Sequence, residues 1–511
     1  MIVTGAWQPL EFILTARYTH SIASRGRKSK MIVRWFLVCT ILLLTACKKT
    51  PTGPKAVSDQ QFEPETPAIE SLYPVPTPAQ LAWEDAEMAM FVHFGMNTFT
   101  GNEWGDGTDS ASLFNPTGLD VHQWVSVAKE AGFKYVILTA KHHDGFCLWP
   151  SKYTSYTIAA SRYKNGTGDI VKQLSDACSE EGVSFSFYLS AWDRHEPSYG
   201  KDAYNEFFQN QLTELLTQYG KVGEVWFDDA NGERDTGFVP TYNWDLFFST
   251  VRHYQPEALM ACYGPDIRWI GNENGTGFET EWSVQPRKYS IQPAASGDEV
   301  WFPSECDVSI RPGWFYHPQE DAQIKTVDQL TDIYFQTIGR NSNLLLNVPP
   351  NQKGAIADVD VQRLQEWRQR LDEIFSHDLF FGQQIVASST RKDTAVYSAA
   401  NCLDENRKTF WSAKQDSTTA QLVVTLQDSA TINIVRLEEA IEYGQRVESF
   451  RIFYDGGQGW VECFQGTTIG RTRLAVFSPV TTRRIEVTID ASRAAPTINI
   501  LEGYFSSLVH E

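Results

Sequence analysis

Between about Leu81 and Phe375, short apolar runs alternate with stretches whose apolar residues recur at helical spacing. The runs include "FKYVILTAKHH", "VSFSFYLSAW", "EVWFDD", "ALMACY", "EVWFPSE" and "NLLLNVPP". In "GDIVKQLSDACSEEG", Ile170, Leu174 and Ala177 share a face, Asp169 stands where an N-cap belongs and Gly182 where a helix stops. "YNEFFQNQLTELLTQYG" has the same form and stops at Gly220. Strands alternating with helices at this length predict an α/β fold, a (β/α)8-like barrel over 81–378, with a doubly wound sheet as the alternative. No glycine-rich phosphate loop follows an early strand, which leaves a nucleotide site without support. After about Phe380 the period shortens to two in "AQLVVTLQ", "TINIVRLEEA", "SFRIFYD" and "RRIEVTID". That pattern predicts a β-sandwich over 379–511.

Alternation also assigns faces. A barrel strand turns apolar residues outward to the helices and lines the core, and at its C-terminal end the mouth, with the other face. In "EVWFDD", Val225 and Phe227 share one face, and Glu224, Trp226 and Asp228 the other. Trp226 and Asp228 are therefore expected at the mouth, with Asp229 facing away or in the loop as a turn or capping residue. In "VSFSFYLS" the same test sends Tyr188 inward near a strand end. "TAKHHDGF" sets His142 and His143 at the exit of an apolar strand, as donors to substrate hydroxyls or, for one of them, as a brace of the loop. No carboxylates or thiols cluster nearby to complete a ligand set, so no metal is expected there.

Residues 1–80 lie outside this pattern. "MIVRWFLVCTILLLTACKK" has an early arginine, an apolar run from Trp35 to Leu44, and then Leu44-Thr45-Ala46-Cys47. The run is short for a bilayer span, which favours a signal peptide over an anchor helix. Its end resembles a bacterial lipobox, implying lipidation of Cys47; an ordinary cleaved signal is the alternative. Met31 is then the expected start, and 1–47 an upstream extension plus signal. Lys48 and Lys49 follow without an acidic run, which favours a lipid-anchored protein of the bacterial cell envelope facing the periplasm. Prolines from Pro51 to Pro78 mark 48–80 as a tether. The remaining cysteines are scattered without a CxxC pair, against a structural zinc site and without any indicated disulfide.

The charge of −19, from 44 basic and 63 acidic residues, argues against nucleic acid or anionic lipid as the main partner. The membrane is then met through the N-terminal anchor alone. The 16 tryptophans fill cores but also offer flat faces to sugars. Trp, Tyr, His and carboxylates at strand ends suit glycoside chemistry, in which one carboxyl attacks or stabilises the anomeric carbon and another protonates the leaving oxygen. Acidic candidates after Asp228 are Asp266, Glu273, Glu279, Glu281 and Glu305. Periodicity does not choose among them.

The segments "FVHFGMNTFT", "NEWGDG", "AKHHDGFCLWPSKYTSY", "EVWFDDANG", "GPDIRWIGNENG", "ECDVSIRPGWFYH" and "GRNSNLLLNVPPN" stand in this order between about Trp83 and Phe375. Together they resemble glycoside hydrolase family 29, the α-L-fucosidases. The resemblance implies retaining hydrolysis through a fucosyl-enzyme intermediate, with Asp228 as nucleophile. It implies a fucose pocket of His93, Glu103, Trp104, His142, His143, Tyr188 and Trp226. "GPDIRWIGNENG" and "ECDVSIRPGWFYH" resemble the subgroup that prefers α-1,3/1,4-linked fucose on Lewis-type glycans, which implies Glu273 as general acid and base. Glu305 is its rival, or else a structural ion-pair partner of Arg311. Arg268 and Trp314 are expected at the substrate rim. Asp229 departs from the family, which often has glycine there.

The C-terminal part resembles discoidin or galactose-binding-like modules, with Asp404, Thr409 and Trp411 in the pattern of their early loop. It binds sugar or packs on the barrel. No cofactor is required for the chemistry, and a structural calcium ion near that loop is an option. The partner expected is a fucosylated oligosaccharide or glycoconjugate. Alternatives are a non-catalytic glycan-capture lipoprotein and a hydrolase of another 6-deoxy or galacto-configured sugar.

Overall fold

A computed structural model describes residues 69–228, 230, 240–290, 297–392 and 395–509. The first strands are β1 (Met88–Val92), β2 (Tyr135–Lys141), β3 (Ser184–Leu189), β4 (Glu224–Phe227), β5 (Leu259–Cys262) and β6 (Arg268–Trp269). A hairpin of β7 (Val284–Pro286) and β8 (Glu299–Trp301) follows, then β9 (Ser304–Ser309) and β10 (Ser342–Asn347). The barrel strands run in the order β5-β4-β3-β2-β1-β10-β9-β6 with every pair parallel. The ring is nearly closed. β6 meets β5 through an antiparallel bridge between Tyr263 and Arg268 and through the amides of Asp266 and Ile267 on the Met260 carbonyl.

The helices are α1 (Pro78–Ala86), α2 (Met96–Thr100), α3 (Val121–Ala131), α4 (Ile170–Glu181), α5 (Asp202–Gln218), α6 (Trp244–Tyr254), α7 (Val327–Thr337) and α8 (Asp358–Ile374). The boundaries of α4 follow from its ends: the Asp169 carboxylate accepts from the Lys172 amide, and Gly182 takes the left-handed conformation at φ 70°. Ile170, Leu174 and Ala177 are all fully buried, as their spacing predicts.

Strand alternation separates two layers. Phe185, Phe187, Leu189, Val225 and Phe227 join helix residues such as Leu174, Phe208 and Phe247 in the outer layer. Ala89, Phe91, Ile137, Tyr188, Trp226, Ala261 and Leu345 fill the inside, with Trp83 of α1 closing the floor. Each large apolar side chain so buried contributes about 1.5–3 kcal/mol. The expected strand "EVWFPSE" is in fact two: β8 pairs only with the antiparallel β7, and β9 enters the barrel after Pro303, which has no N–H for a ladder.

The C-terminal domain is an antiparallel sheet domain of β11 (Gln384–Ala387), β12 (Trp411–Ser412), β13 (Ala420–Glu439), β14 (Val447–Asp455), β15 (Trp460–Gly466), β16 (Arg473–Ser492) and β17 (Thr497–Tyr504). "AQLVVTLQ" and "TINIVRLEEA" are one strand, β13, whose register shifts between Thr425 and Ala430. Leu422, Val424, Ile432, Val435, Ile452 and Val487 form its own core.

The two domains are tied by charge. Glu438, fully buried, accepts from Arg407, Arg436 and Arg471, and the first two also reach Glu87 before β1. Burial would raise the Glu438 carboxyl, but the three guanidinium groups hold it well below its ordinary value. Backbone bonds from Asn341 to Thr472 and from Leu474 to Gly339 cross the same interface. The expected tether over 48–80 ends sooner than its prolines suggested. Ile69 is buried with Tyr397, Phe410 and Ala440, the Leu72 amide donates to Tyr443, and Arg446 donates to the Glu70 carbonyl. Cys47 and Asp229 lie outside the described residues. No disulfide forms among the described residues.

Candidate active site

β4 is laddered on both sides, Trp226 opposite Tyr188 on β3 and opposite Ala261 on β5, so its alternation is fixed. Trp226 stacks on Tyr188 with ring centroids 5.6 Å apart. One residue past the strand, Asp228 reaches the mouth. Its Oδ2 accepts from the Tyr188 hydroxyl at 2.8 Å and its Oδ1 from the Ala230 amide at 2.6 Å. Burial raises the pKa of Asp228, and those two donors pull it back down by favouring the charged form.

Three histidines stand beside it, and their partners fix which ring nitrogen carries hydrogen. The Asn347 amide nitrogen donates to the Trp314 carbonyl and Ser309 Oγ, so its oxygen faces His93 Nδ1 at 2.9 Å and must accept from it. His93 Nε2 is then left as an acceptor. Ser190 donates to the Trp192 carbonyl and accepts from His143 Nδ1 at 2.7 Å, leaving His143 Nε2 likewise bare, 3.7 Å from Asp228 Oδ2. Asn97 has the opposite effect. Its oxygen accepts from Gly105, its nitrogen donates to the Glu103 carbonyl and lies 3.4 Å from His142 Nδ1, so His142 carries its hydrogen on Nε2. Burial holds all three rings neutral, with His93 and His143 lowered to about 3. The pocket thus offers two neutral acceptors and one neutral donor, suited to hydroxyl groups.

Glu103 receives the Trp314 amide at 2.8 Å and lies 2.6 Å from His317 Nε2, joining the loop after α2 to the loop after β9. Gly313 permits this approach: a Cβ there would stand 2.6 Å from Glu103 Oε1. Trp314 lies over His93 at 5.0 Å, and Trp104, 61% exposed, forms the outer rim.

Glu273 sits four residues beyond β6 on the loop that descends outside β9. Its pKa is raised by burial and by the charge of Asp228, against a lowering contact with the Trp314 side chain. Asp307 on β9, which sequence reasoning missed, lines the same cavity and accepts from Trp269 Nε1 at 2.7 Å. Burial, followed by the charges of Glu273 and Asp228, brings Asp307 up to about 7, although the Trp269 bond works against it. Asn347 and Asn97, the residues that orient the histidines, were also missed, and no motif marks them.

The cavity has a volume of about 400 Å3 and is lined by His93, Glu103, Trp104, His142, His143, Tyr188, Trp226, Asp228, Glu273 and Trp314, all expected at a substrate site. Phe91, Ala230, Cys262, Trp269, Asp307, Pro312 and Gly313 complete it. Arg268 does not belong: it turns away from the cavity and pairs with Glu281, because Trp269, its neighbour in β6, takes the inward direction. The other acidic candidates are committed elsewhere. Asp266 pairs with Arg252, and Glu279 with Arg340 and Arg473.

Glu305 does not pair with Arg311, whose guanidinium instead reaches Asp360 and Asp321. It points into the barrel, accepts from Trp226 Nε1 at 2.9 Å and lies below the cavity. Burial and the neighbouring Glu224 push it well above the ordinary carboxyl range. Glu224, bonded by Trp83 at 3.0 Å, is raised to about 8 by burial. Both lie on the barrel floor, where burial favours the neutral carboxyl.

Among the described residues no three His, Cys, Asp or Glu side chains converge as metal ligands. In the early loop of the C-terminal domain, Asp404 already spends Oδ1 on the Asn406 amide and Oδ2 on the Thr409 hydroxyl, while Trp411 is buried beneath.

Comparison with known proteins matches residues 53–372 to the alpha-L-fucosidase family and residues 384–502 to the F5/8 type C domain. Alpha-L-fucosidase 1 of Arabidopsis thaliana is 42% identical over 449 residues, covering 85% of this chain and 88% of that protein. The tissue alpha-L-fucosidase of Rattus norvegicus is 24% identical over 430 residues, covering 71% and 83%. A Ruminococcus gnavus family 29 fucosidase, solved in complex with fucose, shares 33% identity at a TM-score of 0.80, covering 86% of this chain and 96% of that one. The chain belongs to the alpha-L-fucosidases of glycoside hydrolase family 29 and joins that catalytic barrel to a C-terminal F5/8 type C domain.

Proposed function

We propose that this alpha-L-fucosidase removes terminal L-fucose with retention of configuration, Asp228 acting as nucleophile and Glu273 as general acid and base. One observation carries the reading. Asp228, its carboxylate held by Tyr188 and Ala230, shares a cavity of about 400 Å3 with a raised, protonatable Glu273. In the first step an Asp228 oxygen bonds to C1 as the C1–O bond to the aglycone breaks, and Glu273 gives its proton to the leaving oxygen. In the second, Glu273 takes a proton from water, which attacks C1 and releases Asp228. His93 and His143 accept hydrogen bonds from fucose hydroxyls, His142 donates one, and Trp226 faces the apolar side of the sugar.

The preferred substrate is fucose in α-1,3 or α-1,4 linkage on Lewis-type glycans. The "GNE" placement of Glu273 and the exposed Trp104 at the rim, beside Trp314 in the cavity wall, support this. A lipid anchor at Cys47, in an envelope facing the periplasm, rests on the signal that precedes it; membrane fractionation of a Cys47→Ser variant tests it.

The chemistry is tested with Asp228→Ala, which should lose turnover and recover it with azide, giving β-fucosyl azide. An α-fucosyl azide would sink retention. The linkage is tested by comparing Lewis a trisaccharide, 2′-fucosyllactose and an aryl α-L-fucoside at equal concentration. Release led by the Lewis compound supports the reading, and release led by the aryl compound defeats it.

A further inference from the structure

Glu273 stands on a loop, yet its loop is pinned on both sides by one residue. Four positions before it, the Trp269 indole donates to Asp307 Oδ1 at 2.7 Å. Two positions after it, the Gly275 amide donates to the Asp307 carbonyl at 3.2 Å. Gly275 is pressed against β9: at φ 68° it takes the left-handed region, and a Cβ there would lie 2.8 Å from Val308 Cγ1. Thr337 holds its carbonyl from the other side at 2.5 Å. Asp307 itself sits in a strand laddered to β10, is 4% exposed and lines the cavity.

We propose that Asp307 is a positioning residue for the acid step, holding Trp269 and the turn at Gly275 so that Glu273 is presented to the leaving oxygen. The proposal rests on the reading of Glu273 as the acid. Asp307 ties the loop, which has no strand partner beyond Trp269, to the rigid wall of the barrel. Its carboxyl, raised by burial, shares the cavity with Glu273 and Asp228.

The test compares Asp307→Ala, Asp307→Asn and Glu273→Ala on two substrates, Lewis a trisaccharide and 2,4-dinitrophenyl α-L-fucoside, whose leaving group needs no proton. General acid catalysis is worth about 100- to 10,000-fold, so a misplaced acid should cost D307A at least about tenfold in kcat/KM on the trisaccharide. The dinitrophenyl substrate should change little. D307N keeps an oxygen to accept from Trp269 and should recover most of the loss. An equal loss on both substrates, or D307N as impaired as D307A, overturns the proposal. E273A separates it from the reading beneath: no leaving-group split there removes Glu273 as the acid, whereas a split in E273A with none in D307A removes only the role of Asp307.

Discussion

Tyr188 and Asp228 meet from adjacent strands, the phenol donating to Oδ2 at 2.8 Å while its ring stacks on Trp226. Burial alone would raise Asp228, and this bond favours its charged form. Removing the donor in Tyr188→Phe should raise the pKa of Asp228 further. The acid limb of the kcat/KM profile then moves to higher pH, by about one unit for a bond to a charged group. An unmoved limb would show that the Ala230 amide does this alone.

Asn347 sets the tautomer of His93 and, through it, the acceptor offered to substrate. Asn347→Leu should free the ring to flip or change tautomer. The expected loss is about tenfold in kcat/KM, the value of one well-placed hydrogen bond, mostly as a higher KM. Nitrogen-15 shifts of the His93 ring check the cause directly, and a variant retaining the same tautomer would contradict it.

The floor carboxyls link stability to pH. Glu224 has an ordinary value of 4.5 and is raised by burial to about 8 in the folded chain. Between those values the folded state keeps a proton that the unfolded state has released, so stability falls as pH rises across that window and levels off above it. Glu224→Gln removes this titration. Relative to wild type, the variant should gain about 3–4 kcal/mol between pH 5 and pH 8, read from denaturant midpoints. A pH-independent difference would mean that Glu224 ionises normally.

Glu438 is the centre of the charge network between the domains. Glu438→Ala leaves three guanidinium groups facing one another in a buried site, a change that costs about 3–5 kcal/mol when one partner of a buried pair is lost. Guanidinium unfolding, followed by tryptophan fluorescence, should show the loss. A variant as stable as wild type would mean that solvent reaches the three arginines.

Much of the site was legible because strand alternation is strict where a strand is laddered on both sides. Trp226, Tyr188 and Asp228 fall inward as "EVWFDD" and "VSFSFYLS" required. The argument failed where that condition lapses. β6 is two residues long, and Arg268, expected at the substrate rim, turns to Glu281 while Trp269 lines the cavity. Asp307 and Glu305 share the inward face of β9, but only height along the strand tells the cavity wall from the floor, and that depends on stagger between neighbours. Asn347 and Asn97 act on other side chains across about 254 and 45 positions of sequence, a pairing with no local signature. The tether misled for a related reason. Prolines predict an extended chain, and Ile69 shows that an extended chain can also be a docked one.

The two carboxyls of the proposed mechanism rest on unlike supports. Asp228 follows a strand flanked by neighbours on both sides, while Glu273 lies past the seam where the ring closes through a single bridge and two backbone amides. Changes between Gly271 and Thr276 leave every rung from β5 round to β9 untouched, yet they fall on Glu273 and on Gly275, whose φ of 68° and approach to Val308 leave no room for a side chain. On the proposed mechanism the acid can therefore be lost while the sugar pocket stands. A chain damaged only in this loop would become a fucose-holding protein that no longer cuts.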